Sequence, residues 1–286
     1  MAISANSEQS TVVRVRRLAP VSHKLDFESF GVSIRIEFDS PDAVEACRVL
    51  LEDVLPGYCD FGTTTVPQHI FRVNWNKSSR DSIYQDGRPL FLATPRETVL
   101  SVLGSRVRLL VAQFAKDFVF IHAGVVSWAD RAIVIPGHSM QGKTTLVAAF
   151  VERGAKYYSD EYAIIDKDGS VHPFVKPLSV RRSDHKYKQH DVTVSGECGT
   201  TAIPVGMILD TKFKKGAKIR PKEMTNGSAM IALIQNTIPI RENPGYVLSV
   251  LKAAVDSAVL IRSPRGEADE AVQSLISFIQ ASERFR

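Results

Sequence analysis

Between residues 31 and 39 the side chains alternate, with Val32, Ile34, Ile36 and Phe38 on one face and Ser33, Arg35 and Glu37 on the other. A period of two marks a half-buried strand. Ser40, Pro41 and Asp42 then read as cap, first-turn proline and acidic first turn of a helix reaching about residue 55, where Pro56-Gly57 stops it. Residues 69–75 alternate again, 76–81 are polar turn material, and Gln85-Asp86-Gly87-Arg88 predicts a hairpin turn into a short strand at 89–93. These elements define a small α+β lobe over residues 20–94, behind a polar and then basic start at 1–19 that lacks an apolar signal core and reads as a frayed terminus.

The pattern changes after Thr94. Thr94-Pro95 again resembles a cap followed by a first-turn proline, and Val99, Leu103, Val107, Leu110, Val111 and Phe114 recur at helical spacing. That helix is expected to pack on the part that follows and to join the two lobes. Strands are predicted at 118–126 and 132–136 around a turn at 128–131, then a helix ending at Arg153-Gly154. A short aromatic strand, a strand at 162–165, the hairpin turn Asp166-Lys167-Asp168-Gly169 and a return strand at 171–175 come next. Residues 181–188 read as a basic mobile loop and 212–222 as a solvated lysine-rich segment. A buried strand at 205–210, helices at 228–236 and 246–257, a short strand at 258–262 and a final helix with Ala268, Ala271, Val272, Leu275, Ile276 and Ile279 on its core face complete the chain. Strands alternating with helices define an α/β class for residues 95–286.

Composition narrows this picture only slightly. No apolar run among the 286 residues is long enough to span a bilayer, so no membrane partner is expected. A net charge of +5 suits an anionic ligand, but no aromatic-basic interleaving points to nucleic acid. Cys47, Cys59 and Cys198 form no C-x-x-C pair, which counts against zinc and a disulfide framework and favours a reducing cytoplasm.

The stretch Gly137-His138-Ser139-Met140-Gln141-Gly142-Lys143-Thr144-Thr145 follows the apolar run 133–135 and opens a helix. It matches G-x-x-x-x-G-K-[ST], the phosphate-binding P-loop. Backbone amides curl around phosphate oxygens, and the helix start adds unpaired N–H groups and a positive dipole end. Lys143 brings a full charge to the β/γ-phosphates, and the Thr144 hydroxyl is placed to ligate Mg²⁺. Two carboxylate sites could complete this machinery. Asp210 ends an apolar run, as the second acidic motif of P-loop ATPases does, while Asp160-Glu161 follows seventeen residues after Lys143. Adjacent carboxylates can divide the work, one taking a proton and the other holding metal. Arg262 and Arg265, placed just after a strand, are weaker candidates for charge stabilisation.

His122-Ala123-Gly124, the loop 137–144, Arg153-Gly154 and Ser159-Asp160-Glu161 together resemble the catalytic domain of HPr kinase/phosphorylase and related bacterial serine kinases. The likeness is strongest over residues 118–182, and residues 171–181 further resemble HPr-kinase-like proteins of peptide-modification clusters, including the lasso-peptide precursor kinases. The resemblance implies a P-loop kinase-like fold of the HPr kinase/PEP carboxykinase type and an ATP- and Mg²⁺-dependent kinase. Lys143 and the loop amides would hold phosphates, Thr144 would ligate Mg²⁺ and Glu161 would sit near it. Asp160 would be the general base, and His122 would assist at the acceptor side. The family usually has glycine where Met140 stands and Asp-Asp in place of Asp160-Glu161. The N-terminal lobe is unlike that enzyme's, and the later signature tied to dephosphorylation is not recognisable. Both count against HPr itself as acceptor and against reverse phosphorolysis.

The expected reaction is therefore transfer of the γ-phosphoryl group to a hydroxyl, serine first, of a peptide or small protein, with a homo-oligomer left open. Three alternatives stand beside it. They are a nucleotide-binding regulatory module without transfer, a P-loop ATPase relying on Asp210, and a kinase of a small-molecule alcohol.

Overall fold

The protein is described from a computed structural model. It covers residues 20–75, 80–137, 141–181, 189–192 and 196–285, with backbone alone at 178–181 and 189–192. The expected frayed start, the turn residues 76–79, loop residues 138–140 and most of the basic loop, 182–188, lie outside the described residues.

The first sheet holds β1 (His23–Ser29), β2 (Val32–Phe38), β3 (Asp60–Phe61), β4 (His69–Asn74), β5 (Arg80–Gln85) and β6 (Arg88–Pro95), in the order β3-β1-β2-β4-β5-β6. The period-two segments became β2 and β4, which run parallel because α1 (Pro41–Val54) crosses between them. Ala43, Cys47, Leu51 and Val54 form the buried stripe of α1. Ser40 occupies its cap position but makes no side-chain capping bond. The sequence pattern did not mark β1 or β5. Asp86 and Gly87 turn the β5–β6 hairpin with positive φ, as the Asp-Gly pair predicts.

The helix α2 (Arg96–Phe114) starts one residue later than expected, with Pro95 as its cap and still paired to Arg80 in the sheet. Its buried face joins α1, Phe27, Ile36, Phe71 and Ile83 in one core that also holds Phe120 and Tyr162 of the second sheet and Phe174 just beyond its β11 strand. The helix expected on the nucleotide-binding side thus belongs at least equally to the first sheet. Phe30 adds to the join, stacking on Tyr58 and meeting Phe118 and Phe120 edge-on, while the Tyr58 hydroxyl donates to Pro173 O at 2.8 Å.

The second sheet is built around β7 (Phe118–Trp128), β8 (Arg131–Pro136), β9 (Lys156–Ser159), β10 (Tyr162–Asp166), β11 (Ser170–His172), β14 (Ile203–Phe213), β15 (Lys222–Glu223) and β16 (Val259–Arg265). The short β12 (Leu178–Arg181) and β13 (Gln189–Val192) pair separately. Strands β8, β14 and β16 are parallel neighbours, and β7 runs antiparallel to β8 and β10. The return strand β11 is shorter than the pattern suggested, and Arg262 and Arg265 lie inside β16 rather than after a strand. Helices α3 (Lys143–Glu152) and α6 (Ala268–Ala281) cover one face through Leu146, Phe150, Val272 and Leu275. Helices α4 (Asn226–Ile234) and α5 (Pro244–Ser257) cover the other through Ala229, Leu233, Val250 and Leu251. The architecture is mixed α/β, with two large sheets and six α-helices among the described residues.

Gly124 lets α3 lie close against β7, since a Cβ there would stand 2.6 Å from Val147 Cγ2. We expect Gly124→Ala to destabilise the fold by about 1–3 kcal/mol through overpacking. Combining it with Val147→Ala should cost less than the sum of the two single changes, a non-additivity that urea denaturation of the four proteins measures.

Candidate active site

The strand β8 ends at Pro136, Gly137 follows, and α3 begins at Lys143. Its cap is Gly142, in left-handed backbone at φ +80, with no side chain to satisfy the first amides of the helix. The first helical bond in this turn runs from Leu146 N to Gly142 O. The amides of the opening turn therefore face the end of β8, where open α/β sheets place their ligands. At Gly137 the space that a Cβ would take is filled by the Gln141 side chain, whose Oε1 would lie 2.5 Å from it. His138, Ser139 and Met140 lie outside the described residues. Thr145 is exposed on the first turn of α3.

Lys143 Nζ donates to Gly137 O at 2.6 Å, folding the lysine back over its own loop. Burial holds the pKa of Lys143 below its ordinary value, against the opposing pull of Asp160 and Glu161. The Thr144 hydroxyl donates to Asp160 Oδ2 at 3.3 Å, and the Tyr157 hydroxyl lies 3.3 Å from Asp160 Oδ1. Tyr157 also donates to Lys176 O at 2.7 Å, the shorter of its two contacts. Burial, then the neighbouring charge of Glu161, pushes the Asp160 carboxyl up to about 6. Burial and Asp160 together drive the Tyr157 hydroxyl well above its ordinary value, so it stays a donor.

The two carboxylates are presented by a local turn. Ser159 is 1% exposed, and its Oγ accepts from Glu161 N at 3.1 Å and Tyr162 N at 3.0 Å. A serine bonding to amides two and three residues on ends β9 and aims successive side chains apart. Glu161 accordingly faces Arg108 Nη2 at 2.9 Å and Lys176 Nζ at 3.7 Å rather than Thr144. Tyr162 is pushed up to about 12 by burial and by Glu161. His122 lies opposite Tyr162 in the β7–β10 register, its ring 4.9 Å from the tyrosine ring. His122 O accepts from Gly137 N at 3.1 Å, so the histidine adjoins the start of the loop.

Gly137, Gln141, Gly142, Lys143, Thr144, Asp160, Glu161 and His122 therefore converge at one end of the second sheet. Asp210 takes a different setting. Its Oδ2 accepts from Arg262 Nε at 2.7 Å across β14 and β16, a half-exposed cross-strand pair. Three contributors escaped the sequence reading. Tyr157 looked like one more aromatic strand residue, and Lys176 lay inside the family-like segment 171–181 without a role assigned to it. Arg108 did carry one, since it sits four residues after buried Gly104 and three before buried Val111, a charge interrupting an apolar stripe.

Among the described residues no group of three or more histidine, cysteine or acidic side chains could hold a metal ion. Mg²⁺ does not require such a cage, because one or two protein oxygens suffice beside phosphate and water. The Thr144 hydroxyl and the Asp160 carboxylate fit that demand. No family model matches the chain, and no curated protein matches it. What the fold defines is a mixed α/β protein, and no helix among the described residues is long and apolar enough to cross a membrane.

The raised carboxyl fixes the sign of a stability measurement. Folding lifts Asp160 from 3.8 to about 6, so the native state holds that proton more tightly than the unfolded chain. Its stabilising effect is complete below about pH 4 and is lost as pH rises through 6. Without nucleotide or metal, Asp160→Asn should be more stable than wild type at pH 8 by about 1–3 kcal/mol, and equal to it near pH 3.5. Guanidinium titrations at the two pH values measure the difference.

Proposed function

We propose that this chain is an ATP- and Mg²⁺-dependent kinase that moves the γ-phosphoryl group to a hydroxyl, serine first, of a peptide or small protein. On this reading residues 95–286 form a P-loop kinase-like domain of the HPr kinase type, behind the N-terminal lobe of residues 20–94. The observation that carries it is the pairing of the Thr144 hydroxyl, in the first turn of α3, with a half-buried, unusually basic carboxylate, Asp160. A carboxyl near 6 is ionised at neutral pH yet basic enough to take a proton in the transition state.

Lys143 exchanges its bond to Gly137 O for phosphate oxygens, and the opening amides of α3 hold the same group. Thr144 would hold Mg²⁺, with Asp160 as the nearest carboxylate because Glu161, expected near the metal, is instead paired with Arg108 and Lys176, and the ion would supply charge neutralisation for the phosphates. Asp160 orients the acceptor hydroxyl and receives its proton as the new O–P bond forms and the bond to the β-phosphate oxygen breaks, ADP leaving with the electron pair. His122 and Tyr162 border the acceptor side. Catalysis on this scheme is mostly positioning and charge neutralisation.

One observation favours the regulatory-module alternative. Glu161 is already engaged by Arg108 and Lys176, which would suit a module that binds nucleotide without transfer. The ATPase alternative has less support, because Asp210 is paired with Arg262.

Phosphoryl transfer from γ-labelled ATP to a panel of serine peptides, including any precursor encoded beside the gene, separates these readings. Asp160→Asn should lower transfer by roughly 10²–10⁴-fold, while Asp210→Asn stays within a few-fold of wild type. Nucleotide binding with no transfer to any acceptor would favour the regulatory module. Acceptor-free hydrolysis lost only in Asp210→Asn would identify an ATPase.

A further inference from the structure

The side chain of Arg265 is 3% exposed, at the end of β16. Its Nη2 donates to Gly142 O at 2.8 Å and its Nη1 to Gly266 O at 2.9 Å, while Nε is buried with no hydrogen-bond partner among the described residues. The Phe213 ring centroid lies 5.6 Å from the guanidinium carbon. Both bonded partners are neutral carbonyls. Glu267, two positions on, adds an attraction without an ion pair, and no carboxylate among the described residues pairs with this group. A buried cation is costly unless an anion balances it. Arg265 is packed against the residue that caps α3, one position before Lys143. A Cβ on Gly142 would fall 2.4 Å from Nη2 and would have to displace the end of the arginine, while the left-handed φ of +80 by itself favours glycine there.

We infer that Arg265 is a second fixed cation of the phosphate site, holding the Gly142 carbonyl from behind and balanced electrically by the phosphate bound at the start of α3. It is a positioning residue that acts through Gly142 and through its charge, and the ligand class is a diphosphate or triphosphate. The inference rests on the phosphate-binding reading of the loop but not on phosphoryl transfer. Without ligand the uncompensated guanidinium is a burden on the fold, and with ligand it is an asset. Removing the charge should therefore move stability and affinity in opposite directions, which a merely structural arginine would not do.

Full-length wild type, Arg265→Gln and Arg265→Lys are compared by calorimetric binding of inorganic pyrophosphate and of ATP, and by thermal melting without ligand. Glutamine keeps an amide donor for Gly142 O and loses the charge, whereas lysine keeps the charge. The glutamine variant should bind both ligands roughly ten- to a hundredfold more weakly and melt no lower than wild type. The lysine variant, which keeps the charge but not the two-donor fork, should lose clearly less affinity than the glutamine variant. Glutamine binding as tightly as wild type, or both variants weakened alike, overturns the inference while leaving the nucleotide site intact. A wild type that binds neither pyrophosphate nor ATP overturns the nucleotide reading itself, and this inference with it. Should Arg265→Gln fail to fold, Arg265→Met serves as the neutral variant under the same outcomes.

Discussion

Every helix leaves its first amides without partners inside the helix, and the candidate site depends on how this chain manages that at the start of α3. Just before α3 the backbone passes through left-handed Gly142, which supplies no capping side chain. The opening turn of α3 therefore presents polar hydrogens and a positive dipole end toward one spot. Close packing keeps that turn in place. Gly124 brings β7 within contact of Val147, Gly137 admits the Gln141 side chain, and Arg265 grips the Gly142 carbonyl. Each of these positions is glycine, or touches one, because a Cβ would occupy the space that the neighbour needs.

The electrostatics follow from the same geometry. Asp160 and Glu161 are adjacent in sequence, yet the Ser159 turn sends them to different surroundings. Asp160 is desolvated and feels the charge of Glu161, so its proton affinity rises even though the Tyr157 and Thr144 hydroxyls and Lys176 pull it the other way. Glu161 is held by two cations from different elements, Arg108 on α2 and Lys176 after β11. Neighbouring carboxylates driven apart in this way are a recurring basis for dividing acid–base and charge-binding roles. The arrangement also ties the site to the first sheet, because α2 carries Arg108 while its Arg106 and Arg96 bind Gln85 and Asp81 of β5. The buried Asp81–Arg96 pair and the stacking of Arg96 over Trp75 fix the start of the same helix.

Local chemistry made much of the chain legible. The alternation in β2 and β4, the stripes of α1 and α6, the Asp-Gly hairpin and the switch from apolar strand to glycine loop to helix all follow from side-chain period and backbone preference, which neighbouring residues encode. The grouping of Lys143, Thr144, Asp160 and His122 was likewise expected from motif and spacing; the first three lie together at one end of the sheet, while His122 adjoins them through its carbonyl on Gly137 N and its ring beside Tyr162. Strands β1 and β5 were less legible, since β1 mixes charges into its solvent face and β5 follows a polar turn without a break in composition.

By itself the sequence determined the α/β alternation, the position of the helix start after β8 and the candidate residues around it, because each depends on groups within a few positions of one another. Only the tertiary structure decided the environment of those residues. Whether Asp160 is desolvated, whether Glu161 is free or ion-paired, and whether Asp210 or Arg265 adjoins the loop depend on which strands neighbour in the sheet and how closely α3 packs. Arg108 reaches Glu161 from 53 positions away, and Arg265 reaches Gly142 across |i−j| = 123. Charge and solvation act through space, and a one-dimensional pattern records only what is adjacent along the chain.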